Sequence, residues 1–501
     1  MKRFVAPRNA RIKADDSRSL GRWMLRRMPL DEEGIRCAFE LSRLAPSGDA
    51  VIGMVRIMRS GNRAGRTFLP ETFDALGSQY ASLGAEPGFY DRIVEVAGDH
   101  LAREVLVALR DIAIDPAAAA IADADNAIRS ALLRTSPAIA AREEGGSRFA
   151  NRISPRDLSP RHLRFQSSSG ADLRLEFTFD DLLPGRVCVV VGQNGSGKTW
   201  LLARLALCAF EPGASKDSIE GDLSLTRILA FSYSAFDEFD VPGETLAERQ
   251  AYVRQGPNVG YAYFGLRDLS RSRRQEDAPL KGSRSIAADF DDALSLAMDD
   301  DDGLLQELVT LLFKESSFGG FHAAPSDEEL ADLTLLRRRF RRSSTGHKFV
   351  LLLMVQLAAF VRKGTLVLID EPEAHLHPPL LVTFLTLLRE VLLRRDACAV
   401  VATHSPLVVQ ETPARHVCIV ERDIGLTGIR SPELETFGED IGEISREVFR
   451  LQAPIGDYPG VLARLADSMT LQAIEALFPR GLSGQARGMI MARQARRRAG
   501  R

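Results

Sequence analysis

The chain has 501 residues, of which 45% are hydrophobic and 26% charged, with a formal net charge of -2. These totals fit a globular protein with room for two or three domains and exclude a uniformly basic nucleic-acid coat. The densest apolar run, 349–361, is too short to span a bilayer and holds Gln356, and the opening residues lack a signal peptide's apolar stretch, so a cytoplasmic protein without a membrane partner is expected.

Residues 1–150 read as a mainly helical N-terminal region, expected to dock a partner or regulate. In 30–44, Ile35, Phe39 and Leu41 form a helical stripe behind the acidic turn Asp31, Glu32 and Glu33. Residues 69–83 read the same way, and in 100–112 Leu101, Val105, Leu106, Leu109 and Ile112 share a face. Asp115 and Pro116 open an alanine-rich helix to about Arg134, and the polar stretch 142–161 is a linker. Period-two character follows: 163–166 and 173–179 predict a hairpin around Ser168, Ser169 and Gly170, and 186–191 a buried strand. An apolar helix spans 199–210, and 212–345 mixes helices with charged loops, including the acidic run 299–302; from about 240 this is an inserted helical lobe. A helix from His347, a strand at 365–369, a helix at 380–393 and a strand at 397–402 then alternate, which predicts an α/β core with a largely parallel central sheet. Residues 451–501 form a helical tail with an arginine-rich end.

Between the strand 186–191 and the helix 199–210 lies G-x-x-x-x-G-K-T, with Gly192, Gly197, Lys198 and Thr199 at its fixed positions. A polyphosphate is wrapped by consecutive backbone N–H groups, and side chains would obstruct that approach, hence Gly192, Gly195 and Gly197. Gln193, Asn194, Ser196 and Trp200 complete the expected ATP-binding segment. Lys198 is placed to reach the β- and γ-phosphates, the Thr199 hydroxyl to bind Mg²⁺, and the following helix to direct its positive end at the phosphates.

The strand 365–369 ends in Asp370 and Glu371. Beside the phosphate-loop strand it would deliver Asp370 to the Mg²⁺ shell and Glu371 to an attacking water as general base. The competing reading, a helix N-cap and first-turn acid ahead of Pro372, loses weight once Lys198 stands upstream.

The phosphate loop, S-S-T-G-H-K at 343–348, L-I-D-E-P-E-A-H-L-H-P at 368–378 and A-T-H-S-P at 402–406 follow the order of ABC-type ATPase heads. Residues 160–450 resemble the soluble branch of that family, the SMC, Rad50 and RecF-like group together with bacterial defence ATPases such as the Septu ATPase and overcoming-lysogenization-defect proteins. The resemblance implies an ATP-sandwiched homodimer in which Ser343, Ser344, Thr345 and Gly346, at a helix start, hold the γ-phosphate bound to the opposing copy. It also makes His404 a switch histidine contacting the γ-phosphate and sets His375 and His377 in a loop coupling the two sites. Read alone, 343–346 is an N-cap and His404 a structural histidine. A metal at His375 and His377 is disfavoured, since residues two apart do not share a helix face and no third ligand is evident.

The sequence departs from that family in places. No Q-loop glutamine follows the strand 227–231; the chain reads S-Y-S-A-F-D-E-F-D at 232–240, and the signature lacks the transporter form L-S-G-G-Q. There is no room for a long coiled coil between Lys198 and Ser343. The five cysteines are scattered without a C-x-x-C pair, which argues against a disulfide scaffold or cysteine zinc site. Arginines cluster at 337–342, 271–274 and 493–501, leaving nucleic-acid contact and a solvated, ion-paired surface both open. No HNH constellation and no acidic Toprim-type continuation is evident, so a nuclease or toxin effector is expected as a separate subunit. The reading is an ATP- and Mg²⁺-dependent dimeric switch of a bacterial anti-phage system, with a RecF-like DNA-maintenance ATPase as its alternative.

Overall fold

Ile35, Cys37, Phe39 and Leu41 are all buried in one core, and residues spaced by two share a face in a strand, not a helix. The computed structural model describes residues 4–6, 22–28, 35–45, 48–149, 160–179, 182–234, 239–243, 245, 247, 249–250, 260–269, 278–298, 303–313, 318, 333–423, 426–449 and 457–499. Its first part is built of strands: β1 (Phe4–Val5), β2 (Trp23–Arg27), β3 (Ile35–Arg36), β4 (Ala38–Arg43), β5 (Ala50–Arg59), β6 (Gly65–Arg66), β7 (Thr72–Phe73) and β8 (Tyr80–Gly84). Among the described residues, six of these form a sheet in the order β7-β1-β2-β4-β5-β8.

The expectation of a mainly helical N-terminal region is thereby corrected for its first half. Ile35 and Phe39 also stand four apart, which mimics a helical stripe, and the intervening Cys37 breaks the tie. The stretch 69–83 likewise supplies β7 and most of β8. Helices do follow, at Gly88–Ala97, Asp99–Ala108, Pro116–Ala124, Asn126–Leu132 and Ser136–Phe149. The alanine-rich segment is two helices, because Asp125 interrupts it with extended backbone and caps the second by accepting from the N–H of Ala127. Half of the expected linker, 150–159, lies outside the described residues, and its first part, to Phe149, is helical.

The hairpin forms as expected from β9 (Arg161–Gln166) and β10 (Asp172–Phe177), and with β12 (Ser218–Gly221) makes an antiparallel sheet. The central sheet contains β11 (Val187–Val191), β13 (Arg227–Ser232), β14 (Tyr261–Gly265), β15 (Thr365–Asp370), β16 (Cys398–Thr403), β17 (Val417–Asp423) and β18 (Leu426–Arg430). Their order among the described residues is β14-β13-β15-β16-β11-β17-β18, parallel except for the β17–β18 pair. Every residue of β11, β13, β15 and β16 is buried, as a parallel strand covered on both faces requires. The helices Lys198–Phe210, Thr345–Phe360 and Pro378–Arg395 supply buried leucines for that cover.

One placement differs from the sequence reading. β15 does not lie beside β11; β16 separates them and pairs in parallel with both. The registers Val191↔Thr403, Asp370↔Ala402 and Ser232↔Asp370 bring the carboxyl ends of four strands level. In open α/β sheets ligands bind outside those ends.

The inserted lobe contributes the helices Ser283–Met298, Leu304–Phe313 and Leu333–Arg342. There the arginine run divides: Arg337 is paired with Asp291 at 3.0 Å, Arg339 lies over the Phe313 ring, and Arg338, Arg341 and Arg342 remain exposed. The acidic run 299–302 and arginines 271–274 lie outside the described residues.

The chain divides into two compact units, Met1–Glu439 and Asp440–Arg501. Within the first, Glu86 after β8 is buried between Arg92 at 2.9 Å and Arg227 of β13 at 3.2 Å, so a paired charge network joins the N-terminal sheet to the central one. The second unit consists of helices around Leu462, Ala466, Ile474 and Ile490. Its Arg493 and Arg497 both pair with Asp467, and Arg487 with Glu475. No helix among the described residues is long and apolar enough to cross a membrane.

Candidate functional site

The chain leaves β11 so close to β17 that a Cβ on Gly192 would stand 2.3 Å from the Val420 carbonyl oxygen. Gly197, the residue before the helix Lys198–Phe210, has φ +95°, a conformation side chains resist. Between them Ser196 is buried, and its hydroxyl has no hydrogen-bond partner among the described residues. A phosphate oxygen would satisfy that donor.

Lys198 is also buried, with Nζ donating to the carbonyl oxygens of Gly192 at 3.1 Å and Gln193 at 3.2 Å. Burial pushes its ammonium below the usual lysine range, opposed by Glu371, Asp370 and Glu373 in that order. An incoming polyanion would add to the carboxylates' opposition to that shift.

The Thr199 hydroxyl donates to Asp370 Oδ2 at 2.9 Å across the width of β16. Thr199 begins a helix standing over the sheet, so the intervening strand does not prevent the contact. A hydroxyl and a carboxylate converging in this way are hard oxygen donors suited to Mg²⁺.

Glu371 adopts φ +45°, a left-handed conformation unusual outside glycine, while its N–H donates to Ala402 O at 2.9 Å. Its carboxylate lies 3.9 Å from Lys198 Nζ and 3.5 Å from His404 Nδ1. Glu373, outside the residues expected from the motifs, completes the cluster. Its Oε1 accepts from the Thr403 hydroxyl at 2.7 Å and the His404 N–H at 2.6 Å, and faces His404 Nδ1 at 3.1 Å. The imidazole therefore has two carboxylates at its Nδ1. The only signal for Glu373 in the sequence was a third acid in D-E-P-E, spaced by the proline.

Lys198, Thr199, Asp370, Glu371 and His404 thus converge at one sheet edge, whereas Ser343, Ser344, Thr345 and Gly346 make no hydrogen bond to them. Ser344 caps the helix Thr345–Phe360 and holds His347 Nδ1 at 2.6 Å; Ser343 donates to Arg339 O at 2.8 Å. A Cβ on Gly346 would approach His375 O to 3.2 Å. His375 Nε2 is 2.8 Å from the Tyr233 carbonyl oxygen, at the end of β13 where a Q-loop residue was sought; 235–238 lie outside the described residues. Trp200 carries Arg204 against its ring at 5.9 Å. The five cysteines are buried and none is in a disulfide.

Residues 326–410 match the family described as "AAA domain, putative AbiEii toxin, Type IV TA system". The chain is 27% identical over 434 residues to Protein ea59 of Escherichia phage lambda, covering 80% of each. Among solved structures, the ATP-binding subunit of an ABC transporter is 14% identical over 56% of this chain and 97% of its own, with a TM-score of 0.28. An SMC head bound to the C-winged helix domain of ScpA is 13% identical over 54% and 96%, with a TM-score of 0.27. The matched AAA domain, together with the strand order and glycine loop described above, gives the chain an α/β fold of the ABC/AAA+-type ATPase-like kind.

Proposed function

We propose that the chain binds and hydrolyses ATP with Mg²⁺, and that two copies close on the nucleotide as a switch. The observation that carries this reading is the convergence of Lys198, Thr199, Asp370, Glu371 and His404 at the level ends of β11, β15 and β16. The N–H groups of 192–197 and the Ser196 hydroxyl wrap the phosphates, and Lys198 reaches toward the transferred group. Thr199 and Asp370 hold Mg²⁺, which when bound neutralises charge on the β- and γ-phosphates. Glu371 accepts a proton from water as its oxygen attacks the γ-phosphorus; the bond to the bridging oxygen breaks, leaving ADP and phosphate. His404, oriented by Glu373, donates toward the γ-phosphate. Ser343, Ser344, Thr345 and Gly346 serve the nucleotide of the second copy, which accounts for their separation from the first.

ATP binding by the full chain, followed calorimetrically, tests the site: Lys198→Ala should abolish it, and wild-type affinity in that variant would overturn the assignment.

For biological role, we propose the regulatory subunit of a bacterial anti-phage system acting through a separate nuclease or toxin. The matched family's association with a toxin–antitoxin system supports a defence setting, and the division between regulator and effector rests on the motif order. Plaque counts on hosts carrying the intact locus or Lys198→Ala separate it from a RecF-like maintenance role, which would appear as sensitivity to DNA damage with plaque counts unchanged.

A further inference from the structure

The helical lobe and the helix Thr345–Phe360 line a cavity of about 310 Å³ that lies apart from Lys198, Thr199, Asp370, Glu371 and His404, with Thr345 the one residue on its wall that the proposed nucleotide site also uses. Its wall is apolar and rich in rings. Phe340 and Phe349 enter from either side of the Ser343 turn, Tyr233 from the end of β13, and Ala287 from the helix Ser283–Met298; the three rings are buried. The His375 imidazole is also part of this wall, held by the Tyr233 carbonyl and centred 5.0 Å from the Phe349 ring.

The cavity's polar lining has a different character. Arg341 and Lys348 contribute there, and among the described residues neither side chain forms an ion pair or hydrogen bond. Two cations lacking counter-charges beside an apolar cavity are matched neither by a hydrocarbon, which would leave them unused, nor by inorganic phosphate, which would leave the rings uncovered. The volume is near the lower end of the roughly 300–1,000 Å³ typical of ligand pockets, enough for one or two fused rings.

We propose that this cavity binds a small aromatic anion, with its rings among Phe340, Phe349, Tyr233 and His375 and its acid group at Lys348 and Arg341. His375 and Tyr233 also join the loop after β15 to the end of β13, so occupancy would bear on the nucleotide edge. That consequence rests on the ATPase reading; binding itself does not.

Titration calorimetry of the full chain with 2-naphthoate, and with neutral 2-naphthalenemethanol for comparison, tests the proposal. Naphthoate should bind saturably and at least about tenfold more tightly than the alcohol, about 1.4 kcal/mol. Lys348→Glu should remove that preference while leaving the alcohol's affinity in place, and Ala287→Phe, which fills the cavity, should weaken both. Lys198→Ala should lose ATP yet bind naphthoate as the wild type does, so the two assignments fail separately. Equal affinity for acid and alcohol, an acid preference that survives Lys348→Glu, or no saturation by about 1 mM naphthoate would overturn the proposal. Should Ala287→Phe fail to melt cooperatively, the Lys348→Glu comparison decides alone.

Discussion

Glu371 pays for its position with backbone strain: a left-handed φ at a residue with a Cβ costs about 1–3 kcal/mol and persists where the surroundings impose it. Here the N–H bond to Ala402 and the following Pro372 impose it. Replacement by glutamine keeps shape and hydrogen bonding but removes the base, so turnover should fall about 10²- to 10⁴-fold with ATP affinity retained. Single-turnover kinetics beside equilibrium binding measure both; unchanged turnover would take the base role from Glu371. Glu373→Gln tests orientation instead. Its amide oxygen can still accept from Thr403 and His404, but the charge facing the imidazole is lost, so kcat should drop about tenfold while KM and the melting temperature hold. Glu373→Ala leaves two buried donors unmet and should cost about 1–3 kcal/mol of stability in a denaturant titration. Gly192 to Thr199 were legible in the sequence because a phosphate loop is built from consecutive residues. Glu373 was not, because its partners arrive on a strand some thirty positions later.

At the scale of elements, the central strands announced themselves by unbroken apolar runs, and the helix at Asp115 by its cap and proline. The N-terminal sheet did not, since Ile35 and Phe39 satisfy both periods and strands such as β1 and β7 carry only two residues each. The order of β15, β16 and β11 was equally hidden, because strand adjacency depends on crossovers rather than on local pattern. Within the N-terminal part, burial pushes the Asp111 carboxyl up to about 7, beside the Tyr90 hydroxyl that donates to it at 3.0 Å. The folded chain then keeps a proton that the unfolded chain has released, so stability falls as pH rises from about 4 to about 7. Ionising Asp111 in the fold costs on the order of 4 kcal/mol. Asp111→Asn should therefore flatten the decline in melting temperature between about pH 4 and pH 7 and melt higher than the wild type above that window. A variant with the wild-type slope would assign the decline to other groups.

At the scale of the molecule, the segment 343–346 stands ready at a helix start yet makes no hydrogen bond to the phosphate loop. A second copy supplies the missing half under the proposed function. Glu371→Gln with ATP and Mg²⁺ should therefore elute at twice the monomer mass in light-scattering chromatography. Ser344→Arg added to it should restore the monomer while ATP binding remains. A monomer in both cases would remove the two-copy switch and leave the ATP site standing. This assembly could not be deduced from geometry in the sequence, since nothing in one chain records what lies opposite an exposed serine; it entered through the motif order.

The level strand ends act as a ruler. Because Val191, Thr403, Asp370 and Ser232 terminate in register, the reach of every functional loop is measured from one line. An insertion of two residues in β16 would carry His404 about 6.6 Å beyond it, out of touch with both glutamates, whereas the same insertion in a connection far from that line changes only its length. Among descendants of this chain, lengthening is thus tolerated in the lobes and forbidden in β11, β15 and β16, so alignment gaps should map where chemistry is free to vary and their absence should outline the site.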